Sequence, residues 1–279
     1  MRLQRSRVGI ILSYALLTTL ALLFFIPVMM MLAGSLKPDE RVLMEAGSLA
    51  GFIPGEVSLQ NYTDVFNRTE FLGFLFNSLF ITGTIVIFGL LVNALAAYAF
   101  ARLRWRGRDL FFNLVLAVMI LPLEAIAVPL FYGVSLLGLR DTYLAQILPF
   151  IANAFSIYLF YAFFIGLPRE LEEAARLDGA STLRTFFSII VPNSKPVFAS
   201  VAILNFLMWW GAYLWPLMVT IGPEVRPLPV AIAAFYTLPP LQWGDILAFS
   251  VMMVAPVLLL FILFQRWFVR GVAATGIKG

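Results

Sequence analysis

Glu124 is the one acid well inside an apolar stretch of this sequence, and 166–192 is its most informative charged segment. A lone carboxyl group at membrane depth normally faces protein or water. It can line a path and accept hydrogen bonds from solute hydroxyls. It can equally pair with a group of its own subunit or of a neighbour. Asn153 and Asn205 lie in two further apolar stretches, where an amide either lines such a path or ties one helix to another. Trp209, Trp210, Tyr213 and Trp215 crowd a single stretch. Aromatic faces suit the apolar C–H faces of sugar rings, but Trp and Tyr also belt membrane interfaces. The belt is the reading for Trp215; for Trp209 and Tyr213 both readings stand.

Other chemistries are excluded by residue type. The chain has no His and no Cys. It therefore lacks the commonest general base and metal ligand, any disulfide or thiolate site, and any Ser-His or Cys-His nucleophile pair. No second acid accompanies Glu124 at depth, so a carboxylate pair is missing too. The three lysines, Lys37, Lys195 and Lys278, never follow Gly. The Gly-Lys-Ser/Thr phosphate-binding loop is thus absent, and this chain cannot hydrolyse ATP by that chemistry. An ion-coupled carrier usually places several ionisable groups at depth, and one glutamate gives that reading little support.

The elements that must position these residues are membrane spans. Hydrophobic residues make up 62% of the 279 and charged residues 12%, against roughly half and a quarter in soluble domains. A span needs about 20 apolar residues. Six stretches qualify, at about 8–32, 71–100, 110–132, 143–165, 197–221 and 246–268. Pro149 and Pro216 interrupt the fourth and fifth. The first has a basic start like a signal peptide, but its apolar run exceeds the usual h-region of roughly 7–15 residues, so it reads as a retained anchor. With six spans, fourteen of the nineteen Lys and Arg residues fall on one side. The positive-inside rule makes that side cytoplasmic, with both termini on it. The net charge of +4 then reflects basic cytoplasmic loops rather than a nucleic-acid partner. The whole chain reads as one all-α polytopic membrane domain.

The longest cytoplasmic connection, 166–196, is too long to be structureless within a compact domain. Pro168 suits a first helical turn, and Glu170, Glu172 and Glu173 suit the positive end of the helix dipole. Asp178-Gly179 is a stop in which Gly takes the left-handed cap, and Ser181 caps a second helix. Leu183, Phe186, Phe187 and Ile190 then fall on one apolar stripe, and Pro192 ends the helix. Two short helices meet at a sharp turn. Such a hairpin either lies on the membrane surface or protrudes as a knob that docks a partner.

Glu173-Ala174-Ala175, three residues, Gly179, nine residues and Ile189-Ile190-Val191-Pro192 resembles the cytoplasmic loop signature of ATP-binding-cassette importer permeases, with Val191 where the family has Leu. Ser35-Leu36-Lys37-Pro38, Asn77-Ser78, the run from Ala97 to Arg102, Leu121-Pro122 and Trp215-Pro216 extend the resemblance to the carbohydrate branch, nearest the maltose-type and glycerol-3-phosphate-type second permeases. The resemblance implies a type I importer permease fold whose loop 166–196 forms coupling helices. Glu173, Ala174, Ala175, Asp178, Gly179 and Ala180 would meet the ATPase, with Glu173 paired to a basic residue there. The end of the chain, with Gly276 and Lys278, is similar to a tail that enters the interface of the two ATPase subunits; a frayed polar terminus is the other reading. The partners implied are a homologous second permease, an ATPase dimer carrying ATP and Mg, and an extracytoplasmic substrate-binding protein that loop 222–244 would approach. This chain itself would bind no cofactor. The setting is the bacterial or archaeal cytoplasmic membrane. The expected cargo is a sugar or oligosaccharide, with glycerol phosphate compounds, polyols or amino acids as alternatives.

Overall fold

Long apolar runs dictate long helices here, and prolines dictate where they break. A computed structural model describes residues 7–276, with side chains over 9–264. Every regular element among the described residues is helical. Along the chain lie α1 (Arg7–Ser35), α2 (Asp39–Glu45), α3 (Gln60–Arg68), α4 (Phe71–Arg102), α5 (Arg108–Val118), α6 (Leu123–Leu136), α7 (Tyr143–Ile147) and α8 (Ala154–Phe164). There follow α9 (Glu170–Leu177), α10 (Thr182–Thr185), α11 (Val191–Asn193), α12 (Lys195–Trp210), α13 (Leu214–Val219), α14 (Leu228–Ala231) and α15 (Trp243–Gly276).

Four helical runs among the described residues are long and apolar enough to cross a membrane: Gly9–Ser35, Phe71–Arg102, Tyr143–Phe164 and Trp243–Phe264. Two bent pairs raise the number to six if each is one span. The pair α5 and α6 meets at 102°, where the sequence suggested one continuous span. Pro122 supplies no N–H and disfavours helical backbone at Leu121, so the break falls there. The other bend, of 82°, separates the 182–193 helical run from α12. Where one stretch was expected over 197–221, α12 ends at Trp210 and α13 starts at Leu214. Gly211 and Ala212 hold the interruption.

One compact unit contains the chain up to Leu72 together with Ile232–Pro256. Its polar interior is tied by side-chain hydrogen bonds, with Asp245 Oδ1 left without a partner among the described residues. The Lys37 ammonium, 2% exposed, donates to Glu45 Oε2 at 2.8 Å and to the Ala50 carbonyl at 2.6 Å. Asn61 donates to the carbonyls of Ser35 and Lys37. Arg68 donates to Gln242, the Pro240 carbonyl and the buried carboxylate of Asp245. Phe71 and Phe235 meet Phe249 edge to face beneath these bonds.

A second unit contains Gly73–Ala231 and the chain from Val257 onward. It has two apolar clusters. Ala94, Ala97 and Tyr98 of α4 pack with Ile157, Phe160 and Phe164 of α8, Phe186, Ile190, and Val197 and Val201 of α12. The small Ala residues let these helices approach closely, as membrane helix packing requires. The other cluster joins Ile81 and Ile85 to Phe150, Trp209, Trp215 and Val219.

Candidate functional site

The loop between α8 and α12 is a built structure. α9 carries Glu170, Glu172 and Glu173 in its first turn. It ends in a complete glycine stop: the Gly179 N–H donates to the Arg176 carbonyl at 3.0 Å and the Ala180 N–H to the Ala175 carbonyl at 2.9 Å. Gly179 has φ +75°, the left-handed conformation this motif needs. Ser181 caps α10, its hydroxyl accepting from the Arg184 N–H at 3.3 Å. Helical structure then continues through a π turn, Phe186–Ile190, into α11. Pro192 does not end the helix as expected. The looser π turn relieves the proline ring and missing N–H, and the helix stops at Asn193.

The expected apolar stripe is only half covered. Phe186 and Ile190 are fully buried, while Leu183 and Phe187 stand exposed. Phe186 packs 5.2 Å from Tyr98, which in turn meets Phe164 edge to face. Glu172 is buried against Arg102 at the end of α4, with Oε1 and Nε 3.1 Å apart in an ion pair in which neither atom makes a hydrogen bond among the described residues, and with side chains 8% and 4% exposed. The same guanidinium donates to the Leu167 carbonyl at 2.5 Å. The loop is thus tied to α4 by an ion pair and by Phe186 on Tyr98, and through Tyr98 to Phe164 of α8. Its outer face presents Glu173, Ala174, Asp178 and Gly179, beside Leu177, the most exposed large apolar residue described. Ala175 is buried and Ala180 half-buried.

The anchoring residues were missed by sequence reasoning. Arg102 counted toward the positive side and as the end of the Ala97–Arg102 run, and Glu172 only toward the helix dipole. Their pairing is a long-range contact with no local signature. The one available signal was that Arg102 closes an otherwise apolar helix while Glu172 shares a helix face with the apolar side of α9.

The intramembrane candidates sort into three settings. Asn153 caps α8, its Oδ1 accepting from the Ser156 N–H at 2.8 Å. The Asn153 N–H donates to Asn93 Oδ1, and Asn205 donates to Ser156 Oγ and the Val201 carbonyl. Asn93, Asn153, Ser156 and Asn205 therefore form one chain of bonds across α4, α8 and α12, the helix-tying alternative. Glu124 stands exposed in the first turn of α6 beside the break at Pro122 and has no partner among the described residues. Pairing inside the subunit is thereby removed, and the helix dipole favours its charge. Trp209 is buried with its ring centroid 4.3 Å from Phe150.

Trp215 is not an interfacial belt residue. It is 1% exposed, and its indole N–H donates to the Ala145 carbonyl at 2.9 Å. Tyr213, by contrast, is exposed at the start of α13. Trp209 and Trp215 line a small cleft with Ser78, Thr82, Gln146 and Phe150. Trp209 Nε1 and Gln146 Oε1 have no hydrogen-bond partner there. Gly276 is the last residue of α15, and Lys278 lies outside the described residues.

A profile of the family described as "Binding-protein-dependent transport system inner membrane component" matches residues 85–274, including the entire α8–α12 connection. The arabinooligosaccharides transport system permease protein AraQ of Halalkalibacterium halodurans is 36% identical over 99% of this chain and 100% of its own. The sn-glycerol-3-phosphate transport system permease protein UgpE of Yersinia pestis is 33% identical over 90% of this chain and 91% of its own. A crystal structure of a bacterial ABC transporter involved in the import of the acidic polysaccharide alginate contains a chain that superposes with TM-score 0.84 at 25% identity, covering 96% of this chain and 99% of that one. With the matched residues covering well over half of its length, the chain belongs to the family of binding-protein-dependent transport system inner membrane components.

Proposed function

We propose that this chain is the membrane subunit of an ATP-driven importer of a sugar or oligosaccharide, forming half of the translocation path and taking its energy through loop 166–196. The observation that carries the reading is the loop itself. It is anchored at its base by Arg102–Glu172 and Phe186, and it presents Glu173, Asp178 and Gly179 outward. A separate ATPase would hold ATP and Mg, because no phosphate-binding loop exists in this chain. An ATPase that changes shape on nucleotide binding supplies the differential interaction that alternating access requires. A second permease would complete the path and an external binding protein would deliver the solute. With each bent pair taken as one span, the chain would cross six times as a single permease domain, with loop 166–196 and both termini on the ATPase side. Glu124 and Tyr213, exposed on this subunit alone, are the residues assigned to the path. Trp209 joins them through its unpartnered N–H, whereas Asn153 and Asn205 hold helices together. Gly276 and Lys278 are assigned to the ATPase interface.

A sugar cargo is supported by the 36% identity to AraQ. A glycerol phosphate cargo is the second reading, supported by the likeness to UgpE. Proteoliposomes containing the whole complex, with ATP on the loop side, separate them. Uptake of labelled arabino-oligosaccharide that requires ATP and the binding protein supports the first reading. Uptake of sn-glycerol 3-phosphate alone replaces it with the second. Uptake by this chain without ATP, abolished by an uncoupler, overturns both.

A further inference from the structure

The turn between α4 and α5 carries charge and aromatic surface that neither the loop nor the path uses. Its sequence is Leu103-Arg104-Trp105-Arg106-Gly107, followed by Arg108 and Asp109 at the start of α5. Gly107, with φ +86°, makes the reversal. A side chain there would be strained and would press on the Phe111 ring. Trp105 is held in place: its indole N–H donates to the Ala99 carbonyl at 3.2 Å, and its ring lies 5.7 Å from Phe100 and 5.8 Å from Phe111. The ring is nevertheless 39% exposed.

Three arginines flank this fixed ring in sequence, and Arg104 and Arg108 line a cleft with it. Arg108 is engaged by Asp109 at 2.8 Å. Arg104 and Arg106 are exposed and make no hydrogen bond or ion pair among the described residues. Arg104, Trp105, Gly107, Arg108, Asp109 and Leu110 line one open surface cleft. Just beyond it, Leu110, Phe111 and Leu114 of α5 expose apolar surface. Unpaired positive charge, an anchored Trp and an adjoining apolar face meet in the order of headgroup, interface and acyl chain.

We infer that this turn binds the headgroup of an anionic glycerophospholipid, with the phosphate on Arg104 in the cleft, the exposed Arg106 of the same turn as its second cation, and the acyl chains along Leu110, Phe111 and Leu114. Arg is suited to the phosphate because its planar fork donates two bonds at once, and Trp favours the interfacial depth. The positive end of the α5 dipole points into the same cleft. Asp109 opposes an anion, but its carboxylate is committed to Arg108. The site concerns the lipid around the subunit and does not depend on which solute is imported.

The test uses the full complex in vesicles of phosphatidylcholine and phosphatidylglycerol, one or the other carrying brominated acyl chains. Trp105 quenching is read as the difference between the natural chain and Trp105→Phe. Brominated phosphatidylglycerol is expected to quench Trp105 in preference to brominated phosphatidylcholine, by roughly fivefold per exposed guanidinium at low salt. The preference should shrink at 0.5 M salt (an assay condition at which the screening length is only about 4 Å). It should disappear in Arg104→Gln/Arg106→Gln and persist in the lysine pair. Equal quenching by the two lipids, or a preference unchanged in the glutamine pair, overturns the site. So does a preference seen for the isolated chain but lost when the ATPase is bound, which would make the turn a protein contact. Millimolar inorganic phosphate should leave the preference intact, and its abolition would replace the lipid by a free anion.

Discussion

Replacing Glu172 by Ala tests whether the Arg102–Glu172 pair fixes the loop to the bundle. The two groups are 3.1 Å apart and almost fully buried. Deleting one partner of such a pair costs about 3–5 kcal/mol, because the other charge stays buried without its counterion. Arg102 keeps the Leu167 carbonyl, so the lower end applies, about 3 kcal/mol. That corresponds to a shift of roughly 150-fold in the equilibrium between the seated loop and a locally opened one. Hydrogen exchange across α9 in the assembled complex should therefore accelerate by up to about two orders of magnitude. ATP hydrolysis should continue while uptake per ATP falls. Pairing the substitution as Arg102→Met/Glu172→Met should restore protection, since a well-packed apolar pair can replace a buried ion pair. Exchange over α9 that changes less than about threefold, with uptake per ATP unaltered, would refute the assignment of the pair as the loop's anchor.

Substitutions at three further positions probe other features. Gly179→Ala should destabilise by about 1–2 kcal/mol through left-handed backbone alone, because nothing lies within 4 Å of the added Cβ. Gly179→Asn, which tolerates that conformation better, should cost less in a thermal melt of the detergent-solubilised chain. Trp215→Phe should cost about 1–2 kcal/mol by leaving the buried Ala145 carbonyl without its indole donor, where an interfacial Trp would cost almost nothing. Asn205→Leu should lower stability by about 0.6–1.7 kcal/mol, the range for a bond between membrane helices. A larger loss of uptake than of stability would return Asn205 to the path.

Local features of the loop were legible because the chemistry is local. The stop at Gly179, the cap at Ser181 and the acidic first turn of α9 each involve residues within four positions, and the structure contains all three. The interruption at Pro149 was signalled by residue type, whereas the one expected at Pro216 falls earlier, between Trp210 and Leu214, and the 102° bend at Pro122 was not foreseen. A missing N–H marks where a helix breaks without setting the direction it then takes. Of the stripe Leu183, Phe186, Phe187 and Ile190, only the edge formed by Phe186 and Ile190 is covered by the bundle, because a period shows which residues share a face and not how much of that face a neighbour covers. Trp215 was misplaced because a Trp beside a Pro at the end of an apolar stretch has the same local sequence whether it meets headgroups or a neighbouring helix. The Ala145 carbonyl that decides the matter lies 70 residues away.

Anchor and tip of the loop have opposite characters, and that contrast bears on how a push would travel. Phe186, Ile190 and Glu172 leave no exposed surface of consequence, whereas Leu177, Leu183 and Phe187 stand exposed, Phe187 meeting the Phe186 ring edge to face. A lever transmits displacement only if its base yields less than its tip. Here the base is close-packed, and close-packed interiors deform little. Displacement of the tip by a docked partner would pass to Arg102 and Tyr98, both on α4, and through Phe164 to α8. The Asn93–Asn153–Ser156–Asn205 chain ties the middle of α4 to α8 and α12. Those three helices would then move together as one block, and the break at Gly211 and Ala212 between α12 and α13 is the nearest place where the motion can be taken up. Cross-linking α12 to α13 across that break should therefore suppress uptake while leaving loop docking intact, and undiminished uptake in the cross-linked complex would place the compliant joint elsewhere.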